Sequence, residues 1–186
     1  MLTLILGGAR SGKSRLAQQL ASSARRVVYV ATPRLDENAD AEMSARIARH
    51  RASRPSSWQT IEEPLDLAAA VERAANDAEA ILVDCLTLWL SNIFYERNDG
   101  TTQEIEGGAR AALGRIAKTA RHRHVILVSN ELGSGTVPDA AVTRAFRDAH
   151  GLLNQWAGEA ADQVILTVAG LPLYLKQISA GTQSNL

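Results

Sequence analysis

The chain has 186 residues, of which 46% are hydrophobic and 22% charged, enough apolar material for one compact core. Twenty Lys and Arg balance twenty Asp and Glu, which argues against nucleic-acid binding through bulk positive charge. No apolar run approaches the roughly 20 residues needed to cross a bilayer, and the single cysteine, Cys85, excludes an internal disulfide or a cysteine-based zinc cluster. The opening MLTLIL lacks the charged flank and cleavage site of a signal peptide, so the expectation is a soluble, cytoplasmic protein with no membrane or nucleic-acid partner.

Taken in chain order, residues 2–6 are a short apolar run that reads as a buried strand, followed by a glycine loop and helical spacing over 13–24. A second strand is expected at 27–31, then a polar loop at 33–38 and an Ala- and Arg-rich helix at 39–52. Trp58-Gln59-Thr60-Ile61 is strand-like and leads into a helix at 65–75. Strands at 81–83, 125–129 and 164–168 alternate with helices at 86–95, 105–121 and 139–160. Pro172 marks 171–175 as an edge strand, and the Ser-, Gly- and Gln-rich residues 179–186 read as a flexible tail beyond a single domain over residues 1–178. Strand alternating with helix predicts an α/β fold whose mostly parallel sheet carries helices on both faces. In such sheets ligands bind at the carboxyl ends of strands, so the loops at 33–38 and at 130–138 (NELGSGTVP) are where function is sought.

Gly7-Gly8-Ala9-Arg10-Ser11-Gly12-Lys13-Ser14 fits G-x-x-x-x-G-K-[ST], with a strand before it and a helix after it. The glycines let successive N–H groups turn inward toward phosphate oxygens, and the following helix adds its positive end. Lys13 supplies a mobile charge between β- and γ-phosphates, and the Ser14 hydroxyl can ligate Mg²⁺. The expected ligand is a purine nucleoside triphosphate with Mg²⁺. The partner carboxylate should end a neighbouring buried strand, and Asp84 after Ile81-Leu82-Val83 fits as the second metal-holding residue; an Asp there also suits a turn or helix cap.

In Glu42-Met43-Ser44-Ala45-Arg46-Ile47-Ala48-Arg49-His50-Arg51, helical spacing sets Arg46 one turn before His50 and Arg54 one turn after it. Cations on every side disfavour the imidazolium, so the ring should be neutral, able to act as a nucleophile while arginines hold a phosphate in front of it. Spacing alone favours the plainer reading, a solvated basic helix face that happens to include a histidine. His122 and His124, in Arg121-His122-Arg123-His124, read as cations at a helix C-terminus, and His150 sits on a long amphipathic helix, packed or exposed. Glu62 and Glu63 can accept hydrogen bonds from a ribose or base, or simply open the helix after Pro64.

GGARSGKSR, the Tyr29-Val30-Ala31-Thr32 strand end, ARIARHRASRP, WQTIEEP, VDCLTLWLSN and SNELGSGTVP occur in this order. Together they resemble the bifunctional adenosylcobinamide kinase/adenosylcobinamide-phosphate guanylyltransferases of cobalamin biosynthesis, from residue 1 to about residue 175. That resemblance implies a P-loop NTPase domain with a RecA-like sheet that uses ATP or GTP to phosphorylate adenosylcobinamide. It then implies transfer of GMP from GTP, through a guanylyl-histidine, onto the phosphorylated corrinoid. The family's guanylylated histidine falls on His50, and its nucleotide contacts fall on Arg51, Ala52, Ser53 and Arg54, with others on Ala31, Thr32, Pro33, Glu62 and Asp84. A homotrimer is implied as well. Against it stand a simple P-loop metabolite kinase without a covalent intermediate, and a nucleotide-sensing module; the guanine-reading N-K-x-D of GTPase switches is absent from the sequence.

Overall fold

Five runs of aliphatic residues are too apolar to face water on either side, and each is separated from the next by a helix with one apolar face. The only arrangement that covers both sides of such runs is a parallel sheet between helices. A computed structural model describes residues 1–34, 54–97 and 101–177. These form β1 (Leu2–Gly7), α1 (Lys13–Ala21), β2 (Val27–Ala31), β3 (Gln59–Glu62), α2 (Leu67–Ala74), β4 (Ala80–Asp84), α3 (Leu86–Glu96), α4 (Thr102–Thr119), β5 (His124–Asn130), α5 (Ala141–Ala160), β6 (Gln163–Val168) and β7 (Leu171–Lys176). The strands make one seven-stranded sheet in the order β3-β2-β4-β5-β1-β6-β7. All pairs are parallel except β6 with β7, which the two-residue turn Ala169-Gly170 joins antiparallel.

Strand alternation divides the interior into two layers. Leu4, Val30, Val83, Val125 and Leu127 point to one face, where α2, α3, α4 and α5 bury Val71, Leu86, Trp89, Ile116 and Leu153 against them. Ile5, Tyr29, Leu82, Ile126 and Val128 point to the other, where Ala17 and Ala21 of α1 lie close on the sheet. Polar spacing at the sheet's ends follows suit: β3 is mostly exposed, and every residue of β7 is exposed, Leu171 and Leu173 included. The edge position expected of Pro172 is where it lies.

Element boundaries depart from the sequence expectation where side chains compete for backbone. The first helix stops at Ala21 because Ser22 and Ser23 turn their hydroxyls back onto Gln18 O (2.7 Å) and Leu20 O (2.9 Å). Helix α4 begins three residues earlier than its apolar pattern, because Thr101 and Glu104 form a reciprocal capping box. His124 does not serve a helix dipole. It starts β5, bonds Thr3 Oγ1 at 3.1 Å, and burial next to the N-terminal ammonium lowers its pKa. Among the described residues no helix is long and apolar enough to cross a membrane. The expected helix over 39–52, the loop at 35–38 and the tail at 179–186 lie outside the described residues.

The Thr101 hydroxyl accepts from Glu104 N–H (3.3 Å), which Thr101 O shares at 3.1 Å, and the cap sets where α4 starts. Thr101→Ala should therefore lower unfolding free energy by about 1 kcal/mol, read from the urea midpoint at unchanged m-value.

Candidate nucleotide site

The first turn of α1 is built to receive an anion. Its N-cap is Gly12 at φ 96°, no side chain caps it, and no acidic residue lies in its first turn. The helix's positive end is thus left to whatever the preceding loop holds. Gly7 must be glycine: a Cβ there would come within 2.3 Å of both Ser11 Oγ and Thr167 Oγ1. Ser11 is buried and bonds Thr167 Oγ1 at 2.7 Å, while Gly170 N–H donates to Ser11 O at 2.9 Å, so the turn between β6 and β7 braces the loop from outside. The Lys13 ammonium donates to Gly8 O at 3.1 Å, across the mouth of the loop. Ala9 and Arg10 form its exposed tip, with Arg10 at φ 56°.

Asp84 ends β4 on the same sheet face as α1, by alternation from Ala80 and Leu82. One carboxylate oxygen, Oδ2, accepts a hydrogen bond from Tyr29 Oη at 3.0 Å. Burial, followed by the Asp84 charge, pushes the Tyr29 hydroxyl well above its ordinary pKa, so it stays a donor. The Arg54 guanidinium lies 3.8 Å from the Tyr29 ring centroid, and its Nε is buried without a hydrogen-bond partner. Arg54 stacks on Tyr29, and Tyr29 holds Asp84; the three form one cluster.

Beside them, Ala31 pairs in register with Asp84 on one side and Glu62 on the other. Thr32 is fully buried, and its hydroxyl donates to Cys85 O (2.8 Å) while accepting from Cys85 N–H (2.9 Å), which locks the ends of β2 and β4 together. Asn92 of α3 then holds Thr32 O at 2.8 Å and Pro64 O at 3.1 Å. Pro33 follows, half-buried. Glu63 turns its carboxylate to the N–H groups of Leu65 and Asp66, as expected of a residue opening a helix. Cys85 is a buried thiol whose pKa burial raises to about 11, so it carries no charge at neutral pH.

On the opposite face, four polar side chains, of which the sequence singled out only His150, converge below the end of β5. His150 Nε2 lies 3.0 Å from Thr87 Oγ1 and 3.3 Å from Ser129 Oγ. Ser129 Oγ donates to Asn154 Oδ1 at 2.7 Å, Asn154 Nδ2 donates to Asn130 O at 2.9 Å, and Asn130 N–H donates to Thr87 Oγ1 at 2.9 Å. Sequence offered a single faint signal for them: polar residues on positions whose helical or strand period otherwise faces the core. The glycine-rich loop beyond is tied at both ends. Glu131 accepts from the N–H groups of Gly133 and Ser134, and a hydrogen bond from the Ser134 side chain is the main cause of its lowered pKa. Arg144 reaches Pro138 O and Asp139 O from α5.

The structure thus gathers Gly7, Gly8, Ala9, Arg10, Ser11, Gly12, Lys13 and Ser14 in one loop, and Ala31, Thr32, Pro33, Arg54, Glu62 and Asp84 along the neighbouring strand ends. His50, Arg51, Ala52 and Ser53 lie outside the described residues. Burial depresses the pKa of His150 to about 4, against 6.5 for a free imidazole. Its neutral form is the one the fold accepts, so its contribution to stability is present above pH 6.5 and is lost as pH falls toward 4. His150→Gln should flatten the fall in unfolding free energy between pH 6.5 and 4, whatever its effect at pH 7; an unchanged slope in urea titrations would refute this role.

The family described as cobinamide kinase / cobinamide phosphate guanyltransferase matches residues 3–175. The bifunctional adenosylcobalamin biosynthesis protein CobP of Pseudomonas aeruginosa is 46% identical over 177 residues, covering 95% of this chain and 98% of that protein. The bifunctional adenosylcobalamin biosynthesis proteins CobU of Salmonella typhimurium and Escherichia coli are 38% and 34% identical, each over 95% of this chain and 100% of their own length. A type III secretion system ATPase of known structure shares the fold at a TM-score of 0.55 and 14% identity, over 93% of this chain and 56% of its own. With strand, phosphate loop and near full-length similarity in agreement, the chain belongs to the cobinamide kinase / cobinamide phosphate guanyltransferase family.

Proposed function

We propose that this chain phosphorylates adenosylcobinamide with ATP or GTP, then transfers GMP from GTP through a guanylyl-histidine at His50 to adenosylcobinamide phosphate. The observation that carries the reading is the cluster Arg54–Tyr29–Asp84 on the sheet face of the phosphate loop. It joins the segment bearing His50 to the carboxylate expected to serve the triphosphate. His50 stands four positions before Arg54, so their Cα atoms are at most about 14 Å apart. The reading has His50, tethered to this cluster through Arg54, approach the α-phosphorus of a nucleotide in the loop.

In the first step the loop amides and Lys13 hold the β- and γ-phosphates and offset the charge that builds as the corrinoid hydroxyl takes the γ-phosphoryl group. In the second, a His50 ring nitrogen forms a P–N bond to the α-phosphorus as the bond to pyrophosphate breaks. Arg51 and Arg54 stabilise the charge on the α-phosphate oxygens, with Ala52 and Ser53 in the same segment. An oxygen of adenosylcobinamide phosphate then displaces the histidine, giving adenosylcobinamide-GDP and a free imidazole. The contacts at Ala31, Thr32, Pro33 and Glu62 are read as holding the nucleoside part.

Ser14 and Asp84 fit Mg²⁺: both offer hard oxygens, and Asp84 has one oxygen held by Tyr29 and the other without a hydrogen bond from the described residues. When bound, Mg²⁺ supplies charge neutralisation at the β- and γ-phosphate oxygens. The same reading makes the working form a cytoplasmic homotrimer acting on nucleotides and a corrinoid.

Incubation with α-³²P-GTP and Mg²⁺ should leave one acid-labile, base-stable GMP on the protein, lost in His50→Ala, which keeps kinase activity. Lys13→Ala should cut phosphorylation of adenosylcobinamide by about 10²–10³-fold. An unlabelled wild type, or kinase activity that survives Lys13→Ala, would refute the corresponding assignment.

A further inference from the structure

Resting on the phosphate-loop and homotrimer readings, we propose that the apolar face of the β6–β7 hairpin is where copies of this chain meet, and that this contact and nucleotide binding favour one another. Register pairs Val168 with Leu171 and Leu166 with Leu173, so these four side chains stand on one face of the hairpin. By alternation it is the face of Val164, which is buried in one layer with Leu153 and Ala157 of α5. The helical cover runs out along β6: Val164 is buried, Leu166 half-buried and Val168 exposed. Beyond it β7 lies open, with Leu171, Leu173 and Leu175 71%, 56% and 56% exposed. Leu175 falls where the register shifts, opposite Val164 and Ile165. Single exposed aliphatics are ordinary on a protein surface, whereas a contiguous group of them marks a contact.

Together these side chains present roughly 400 Å² of apolar surface, about half of what a standard interface takes from each partner. A lipid surface suits them poorly. Lys176, the one cation of β7, donates to Gly158 O (3.2 Å) and Glu159 O (3.1 Å) at the end of α5 and does not rim the patch with charge for anionic headgroups. Pro172 brings no N–H to the open edge, which disfavours an added strand and leaves side-chain packing on the face. A second copy of the chain fits both conditions. Twenty acidic and twenty basic residues leave no net charge to hold copies apart, and the same aliphatic patch is present on every copy. The hairpin also reaches the nucleotide site. Its turn, Ala169-Gly170, has φ of 51° and 80°, and Gly170 N–H donates to Ser11 O at 2.9 Å. Thr167, the residue before Val168, bonds Ser11 Oγ through its own hydroxyl at 2.7 Å. A neighbour that pins Val168 and Leu171 therefore pins both sides of the turn that braces the phosphate loop. Stabilisation of this hairpin from one side is then felt on the other, and reciprocally.

The test is sedimentation equilibrium of the full chain, alone and with Mg²⁺ and a non-hydrolysable GTP analogue carrying an imido bridge. Wild type should associate, and Leu171→Lys with Leu173→Lys should weaken association about 100-fold or more, since two leucines lose their burial. Leu173→Ser should weaken it about ten-fold, and serves if the double variant folds poorly. Val142→Lys changes an aliphatic as open as these (67% exposed) but outside the hairpin, and should leave association within about two-fold. The analogue should tighten wild-type association about five-fold or more, and the dissociated variant should bind the analogue correspondingly more weakly. Association that survives the hairpin variants, or falls equally in Val142→Lys, overturns the surface and leaves the homotrimer reading standing. A monomeric wild type overturns both, and one that pellets with phosphatidylglycerol vesicles instead gives the face to lipid and overturns the proposal. Association unmoved by a bound analogue overturns the coupling. Wild-type protein that binds no nucleotide overturns the phosphate-loop reading itself.

Discussion

In a parallel sheet the strands all deliver their last side chains to one edge, and which of those side chains meet is decided by strand order alone. Here β4, β5 and β1 are adjacent in that sequence, so a carboxylate, an amide and a phosphate loop from residues 84, 130 and 7–14 come to one place. Alternation then sorts what each end presents. Asp84, Asn130 and the first turn of α1 share one face, and on the opposite face Thr87, Ser129, His150 and Asn154 bond to one another and to the backbone of β5. The site follows from order and parity before any side chain is chosen to fill it.

That division has an energetic logic. Buried polar groups are tolerable when each finds a partner, and the Thr87, Ser129, His150 and Asn154 group is closed in that sense, down to the backbone it steadies. Thr32 does the same for the ends of β2 and β4 with a single hydroxyl that both donates and accepts. On the α1 face the pattern is reversed. The Arg54 Nε is buried with no partner, and one Asp84 oxygen and the Asn130 carboxamide are left without hydrogen bonds from the described residues. One layer is saturated so that the other can remain receptive.

The phosphate loop, the strands and the edge position of β7 were legible because they depend on local chemistry: glycines before a helix, uninterrupted aliphatic runs, a proline that cannot pair. Helix ends were read less well where a hydroxyl decided them, as at Ser22 and Thr101. Tyr29 looked like core, and it is core; its second task, fixing Asp84, depends on a neighbour 55 residues away and leaves no local trace. His150 could not be placed from its helix, since burial was determined by Thr87 and Ser129 on two other elements. His124, read as a helix-terminal cation, became a strand residue because α4 ends at Thr119 and the chain has turned before reaching it.

The first strand lies inside the sheet, yet both of its neighbours come late in the chain. β1 pairs with β5 and β6, Leu2 N–H is held by Asp162, and Ser11 is gripped by Thr167 and Gly170. Nothing made before residue 124 can flank β1, and the loop gains its outer brace only when residue 170 exists. A ribosome-bound fragment short of that point therefore has the sequence for gripping phosphate without the walls. The longest-range pairings of the sheet are thus the ones that complete the surroundings of the loop.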